Sequence, residues 1–577
     1  MSNPIRFFEN LRDMYLRYLD SPFDIRYGDL TAERRQLLDQ DGRIYRYPLI
    51  EPVPAYRSSN QSFAQAAQAL LGTSWQQGAI TDVADFVSQG LFPPSLALYQ
   101  HQRDVFEQVV VNGMDTVVTT GTGSGKTECF LLPVVASIVR ESATWSAPGQ
   151  QPPQWDWWNH FTMQGTRRRW APRVSQRGHE GRAAAVRALI LYPLNALVED
   201  QLARLREALD SPGARAWLQA HRQGNQIYFG RYTGRTPVSG ERTSSNTGRL
   251  RDELRSIHQD AQAVAGSAAE RFFQSMDGAE MWSRWDMQDA PPDILITNYS
   301  MLNIMLMRAI ESTIFDQTRA WLEESPDRVF HLVVDELHTY RGTPGTEVAY
   351  LLRALLDRLG LAPNSEQLRI ISSSASLESG TNGLQYLEQF FGRDRNRFRV
   401  IGGSSYIVPP NAAAPGSLSP HAAALETFAQ AIAGSGSGGL PQASTALLGA
   451  IGASTPQPRA SVEENLNAAL EHVQAADALR LGSTINQQIV PMSPQDLAPV
   501  LFPGAPALQA FNAVDGLLTA LSHARTPSGL APLPMRVHLM LRNLQGLWVC
   551  TSPACGQAPA RAAQCPTGSL HYVPTLT

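Results

Sequence analysis

Two stretches of this chain carry residue types at spacings suited to phosphate chemistry. The first, Thr119 to Glu128, reads Thr-Thr-Gly-Thr-Gly-Ser-Gly-Lys-Thr-Glu. Glycines at alternate positions let successive backbone N–H groups converge on phosphate oxygens with no Cβ in the way. The loop residues Thr122, Gly123, Ser124 and Gly125 thus form a cradle closed by Lys126 and Thr127. Thr127 offers a hydroxyl ligand to Mg²⁺. Lys126 is the single lysine among 48 basic residues. Arginine serves wherever else a cation is needed, and the exception falls where a planar guanidinium fits a phosphate cradle badly. The second stretch is Phe330-His-Leu-Val-Val-Asp-Glu-Leu-His338. Its apolar run reads as a buried parallel strand delivering Asp335 and Glu336 to a sheet edge. There Asp335 would hold Mg²⁺, and Glu336 would accept a proton from an attacking water.

These groups need elements to hold them. An apolar β-like run, Thr116–Val118, precedes the loop and a helix-like run, Cys129–Val139, follows it. Strand, glycine loop and helix in that order place the phosphates on a helix N-terminus. Further strand-like runs begin at Ala188, Ile227, Asp293 and Leu368, and each ends in polar residues. Open α/β sheets bind ligands at that carboxyl edge. The alternation predicts an α/β fold with a parallel sheet over residues 95–400. Gln102 lies 24 positions before Lys126, with Tyr99 just upstream. Its amide can both donate to and accept from an adenine edge while Tyr99 stacks on the base; alternatively both are helix-start residues.

Between Ser142 and Arg187 the composition changes. Trp145, Trp155, Trp157, Trp158 and Trp170 lie close to Arg167, Arg168, Arg169, Arg173, Arg177, Arg182 and Arg187. Two readings stand: a platform on which single strands stack and pair their phosphates, or a folded insertion with core tryptophans and solvated arginines.

The net charge of −4 excludes an overall basic footprint, so nucleic-acid binding must be local. Four cysteines in 577 residues argue against a disulfide scaffold. The first residues lack a signal-peptide core, and no apolar run reaches the ~18 residues of a membrane span. The expectation is a cytoplasmic protein without a membrane partner.

The ordered set Gln102, Thr120–Thr127, Asn195–Gln201, Thr233-Gly234, Thr297-Asn298, Asp335–His338 and Ser374–Ser376 resembles the motifs of superfamily 2 helicases of the DExH type. The resemblance implies a RecA-like P-loop lobe over 95–400, with helical insertions near 140–187 and 235–290. It further implies ATP and Mg²⁺ as cofactors, with Lys126, Asp335, Glu336 and His338 as catalytic residues. Asn195, Thr233, Gly234, Thr297 and Asn298 would meet the nucleic-acid strand, and His338, Ser374 and Ser376 would couple nucleotide state to it. The long insertions and the run Asp335–Gly342 resemble large bacterial helicases of anti-phage defence systems such as DISARM and Druantia, which implies DNA rather than RNA.

Outside that lobe, residues 1–94 read as a helical region. Residues 401–545 read as an Ala/Gly/Pro-rich helical or linking region, with a flexible tract at Gly434–Gly439. No run with the arginine finger of a second RecA-like lobe follows Ser376, so a longer or separate chain is expected to supply that lobe. Residues 546–577 place Cys550, Cys555, Cys565 and His571 together, a candidate Zn²⁺ set or an unfinished knuckle with free thiols. Two functions follow: an ATP-driven helicase or translocase lobe, or an ATP-responsive scaffold that grips nucleic acid or a partner with little turnover.

Overall fold

A computed structural model describes residues 3–21, 28–53, 56–121, 123–193, 195–267, 269–374, 377, 380–403, 414–453, 460–485, 488–527, 529–542, 548–549 and 570–571. The chain forms two compact units, residues 56–405 and residues 1–55 with 406–577.

The first unit is built on seven strands. They are β1 (Asp115–Thr119), β2 (Ala188–Tyr192), β3 (Phe229–Tyr232), β4 (Ile294–Asn298), β5 (Phe330–Val334), β6 (Leu368–Ser373) and β7 (Phe398–Gly402). Their order in the sheet is β7-β1-β6-β5-β2-β4-β3. Every neighbouring pair is parallel. These runs are apolar almost throughout because helices cover both faces of such a sheet.

Successive side chains point to opposite faces, so each strand feeds two cores. Val118, Ile190, Ile296, Val333 and Ile371 pack on one face with Phe130, Leu131, Val134 and Val135 of the helix Lys126–Ser142. Val117, Leu189, Leu191, Leu332, Val334 and Ile370 pack on the other with Val348, Leu352 and Leu355 of the helix Gly342–Arg358. Each such side chain contributes about 1.5–3 kcal/mol by leaving water. The loop after β1 and the acidic pair after β5 flank the end of β6, the one strand between them.

The second unit has its own helical core, in which Leu425 and Phe428 meet Val514, Leu517, Leu518 and Leu521 of the helix Ala507–His523. Gly516 permits this contact, since a Cβ there would sit 2.0 Å from the Leu425 carbonyl oxygen. The run Gly434–Gly439, expected to be flexible, ends one helix and forms a 3₁₀ turn. The helical reading of residues 1–94 needs correction too. Tyr45–Pro52 is a strand paired antiparallel with Met535–Leu541, and residues 1–55 join the second unit while 56–94 join the first. Pro48 and Pro52 obscured that strand in the sequence, because proline cannot donate to a ladder. Among the described residues no helix is long and apolar enough to cross a membrane.

Candidate active site

At the carboxyl edge of the sheet the chain turns out of β1 through Thr120–Gly125 into a 17-residue helix whose first residue is Lys126. Gly123 and Gly125 have φ of 78° and 73°, in the left-handed region that favours glycine. At Gly125 any side chain is also excluded by contact, because a Cβ would lie 2.3 Å from Gln102 Nε2. The loop is braced from inside by a hydrogen bond between the hydroxyls of Thr120 and Ser124. From outside, His101 Nε2 donates to the Ser124 carbonyl at 2.8 Å, and Gln102 Nε2 donates to the Gly125 carbonyl at 3.2 Å. Burial lowers the pKa of His101 and keeps the ring neutral.

The acidic pair arrives from β5. The Asp335 amide donates to the Leu191 carbonyl at 3.0 Å, extending the pairing of β5 with β2 by one residue. Glu336 then takes a left-handed conformation, φ 50° and ψ 48°, at a cost of roughly 1–3 kcal/mol for a residue with a Cβ. The turn sends its carboxylate back over the loop. Glu336 Oε1 accepts from Lys126 Nζ at 3.2 Å, and its other oxygen lies 3.1 Å from His338 Nδ1. Ser373, at the end of β6, ties the pair together: its hydroxyl donates to Asp335 Oδ1 and accepts from the Glu336 amide at 3.0 Å. Burial, then the negative charge of Glu336, raises the pKa of Asp335, opposed by the Ser373 hydroxyl and Lys126.

Thr127, the second residue of the helix, accepts from Gln201 Nε2 at 3.3 Å, and Glu128 pairs with Arg204 at 2.6 Å. Both contacts hold the loop's helix to the helix Asn195–Leu209. The donor set suits a magnesium nucleotide: a glycine cradle with a lysine at a helix N-terminus, a hydroxyl at Thr127, and a carboxylate at Asp335 that burial leaves short of positive charge.

Gln102 is 3% exposed, with its Oε1 accepting from the Tyr99 amide at 2.9 Å, so its amide serves the helix start as well as the loop. Beside it Tyr99 stacks on His101 with ring centroids 5.5 Å apart, and Tyr56 stands edge-on to both. Thr297 is fully buried and donates to the Tyr232 carbonyl at 2.7 Å. Thr233 is 2% exposed and accepts from the Arg235 amide. Both were expected to meet a strand, yet both hydroxyls point inward, because a threonine at a strand end bonds neighbouring backbone. The exposed positions there are Gly234 and Arg235. Asn298 caps the helix Tyr299–Met307, accepting from the Met301 amide at 2.8 Å. Ser374 is buried, its amide donating to the Val118 carbonyl at 2.9 Å. Thr122, Ser376, Cys550, Cys555 and Cys565 lie outside the described residues, as do the side chains of Asn195 and His571.

The two readings of the Trp/Arg stretch divide by residue. Trp157 and Trp158 are core, packed with Trp282 and Trp285. Arg173 pairs with Asp286 and Asp289, and Arg182 and Arg187 grip Asp293. Arg167, Arg168 and Arg169 lie on an exposed hairpin strand. Sequence reasoning missed Ser373, His101 and Tyr56. Ser373 was in view within the serine run ending β6, read one position late, and His101 stood beside Gln102; nothing local marked Tyr56.

This geometry is that of a DEAD/DEAH box helicase domain, and the family model of that name matches residues 99–229. The chain is 31% identical to the Druantia protein DruE of Escherichia coli (strain UMEA 4076-1), across 95% of this chain and 30% of DruE. It is 25% identical to the uncharacterized ATP-dependent helicase YprA of Bacillus subtilis (strain 168), across 45% of this chain and 20% of YprA. It therefore spans less than a third of either relative. Among solved structures, the helicase MrfA bound to DNA matches with 21% identity and a TM-score of 0.30, over 65% of this chain and 32% of MrfA. The DEAD-box helicase Mss116 bound to ssRNA and UDP-BeF matches with 12% identity and a TM-score of 0.33, over 66% of this chain and 54% of Mss116.

Proposed function

We propose that residues 56–405 are the ATP-binding motor lobe of a nucleic-acid helicase or translocase, acting on DNA in defence against phage. The observation that carries this reading is the meeting of Lys126, Glu336 and Asp335 through Ser373 at one sheet edge. The DNA and the defence role rest on the similarity to DruE.

Magnesium-bound ATP supplies the phosphoryl group, and the metal neutralises its developing charge. Lys126, held over the loop by Glu336, exchanges that carboxylate for phosphate oxygens. Glu336, released, orients and deprotonates water, with His338 steadying its second oxygen. Thr127 and Asp335 hold the metal, and Ser373 keeps Asp335 and the Glu336 backbone in register. Tyr99, Tyr56 and His101 form an aromatic wall for the base, and Gln102 positions it through Tyr99. The strand passes the exposed edge at Gly234, with Asn195, Thr233, Thr297 and Asn298 shaping the backbone behind it. Ser374 and Ser376, following β6, relay the nucleotide state.

In this reading a second RecA-like lobe faces the site and brings the cation that the transferring phosphoryl group still needs, worth about 10³–10⁵ in rate. The span of 30% of DruE supports a working protein with more sequence than this chain. The test is ATP turnover with and without single-stranded DNA, alone and with the remaining sequence supplied in trans. DNA-stimulated turnover abolished by Glu336→Gln supports the motor. Nucleotide and DNA binding with no turnover in either setting would leave a scaffold instead.

A further inference from the structure

The exposed hairpin formed by Phe161–Gln164 and Arg167–Trp170 takes no part in the nucleotide site. Its register sets Phe161 opposite Trp170 and Met163 opposite Arg168. Alternation therefore puts Phe161, Met163, Arg168 and Trp170 on one face, and Thr162, Gln164, Arg167 and Arg169 on the other. The first face is anchored: Arg251 and Arg255 of the helix Ser244–Val264 lie over the Trp170 ring at 4.2 and 4.9 Å. Arg168 lies over Phe161 at 4.8 Å. The second face is open.

Its arginines differ from those that follow in sequence. Arg173, Arg177, Arg182 and Arg187 each hold a carboxylate. Arg167, Arg168 and Arg169 are exposed, and none has an ion pair among the described residues. No Asp or Glu occurs from Phe161 to His179. In a chain of net charge −4 this is a local excess of positive charge. Arg167 and Arg169 stand on one face about 7 Å apart, a distance that spans two phosphate repeats along a nucleic-acid strand.

We propose that this hairpin is a second nucleic-acid contact, gripping the phosphodiester backbone without regard to sequence, apart from the strand edge of the motor. The inference rests on the helicase reading for its partner. Backbone contacts of this kind carry affinity and salt dependence rather than base preference.

The test is fluorescence anisotropy of the full chain with a labelled single-stranded oligonucleotide across ~50–200 mM salt. The triple change Arg167→Gln, Arg168→Gln, Arg169→Gln should weaken binding on the order of tenfold or more and flatten the log–log salt slope by about 2, or about 0.7 per lost contact. The triple change to lysine should keep most of the slope, since the contact needs charge rather than a planar fork. Arg169→Glu alone should weaken binding more than Arg169→Gln. A glutamine triple, or an Arg169→Glu variant, with the parent's affinity and slope overturns the proposal. A parent chain that binds no oligonucleotide overturns the helicase reading with it, whereas a binding parent and an unaltered triple overturn this proposal alone.

Discussion

Two aspartates at opposite edges of one sheet show how the same side chain becomes a joint or a site. Asp293 stands at the amino end of β4, fully buried, and accepts from both Arg182 Nη atoms and from Arg187 Nη1, each at 2.7 Å. It also accepts from the Tyr228 amide at 2.8 Å. Burial alone would push its pKa up, but the arginines outweigh burial and hold it well below the ordinary aspartate range. Asp335 stands at the carboxyl end of β5 with one hydroxyl and a more distant lysine, and there burial prevails and its pKa is raised. Saturated with cations, a buried carboxylate locks three strand starts together. Left short of them, it gains from an arriving metal ion, so the incomplete aspartate marks the chemistry.

Breaking the saturated site should have the largest effect. Asp293→Ala leaves Arg182 and Arg187 buried without their counter-charge, and losing one partner of such a network costs about 3–5 kcal/mol. Denaturant unfolding of the nucleotide-free chain should show this as a fall in midpoint. An unchanged midpoint would mean that these charges do not hold the strand starts. The pH dependence sharpens the contrast. With its folded-state pKa depressed, Asp293 contributes stability above its ordinary value of 3.8, lost as pH falls below it. Asp335, raised, favours the folded chain when protonated, and that contribution is lost as pH rises through the folded value. At neutral pH Asp335→Asn should therefore stabilise the nucleotide-free chain while Asp293→Asn destabilises it, with both read from the same melts. Like signs for the two would sink the comparison.

Next in size is Lys126→Ala. Its ammonium pairs with a carboxylate that is itself one-fifth exposed, so stability should change little. Magnesium-ATP affinity should fall by about 1.5–3 kcal/mol, tenfold or more, through the lost charge-assisted contact. Calorimetric titration decides it, and parent-like affinity would remove Lys126 from the phosphates. Lys126→Arg should recover only part of the loss, because the cradle is shaped for a point charge.

The sheet and its loop were legible because their information is contiguous. Apolar runs announce buried parallel strands, and a glycine loop closed by the one lysine states its own chemistry. The network around Asp293 was not legible. Its arginines precede it by more than a hundred positions, and in sequence Arg182 and Arg187 look no different from Arg167 and Arg169. Only the fold decides which guanidinium meets a carboxylate and which meets solvent. Thr233 and Thr297 show the same limit: the sequence placed them at the right edge, but hydrogen bonding to neighbouring backbone turned their hydroxyls inward.

The smallest expected effect belongs to Ser373, and it tests whether the incomplete site is held in place or merely present. Its hydroxyl is the one side-chain contact that touches both members of the acidic pair, donating to Asp335 and receiving the Glu336 amide. Ser373→Ala removes a donor from a buried carboxylate and an acceptor from a buried amide, at about 0.5–1.5 kcal/mol in net hydrogen-bond terms. Part of that loss is recovered in the nucleotide-free chain, because Asp335 becomes easier to protonate once its hydroxyl donor is gone. Stability should thus fall slightly or not at all. Nucleotide affinity, which rests on Lys126 and the loop, should also stay near the parent value. Turnover should fall instead, since Glu336 sits in a left-handed turn whose amide Ser373 anchors, and small displacements of a catalytic base are costly. Ser373→Thr keeps the hydroxyl and should restore turnover if the added methyl is accommodated, whereas Ser373→Cys, a weaker donor, should restore little. Equal turnover in the alanine variant and the parent, at matched nucleotide saturation, would show that the acidic pair keeps its geometry without β6, and the site would then reduce to the loop and strand that the sequence displays.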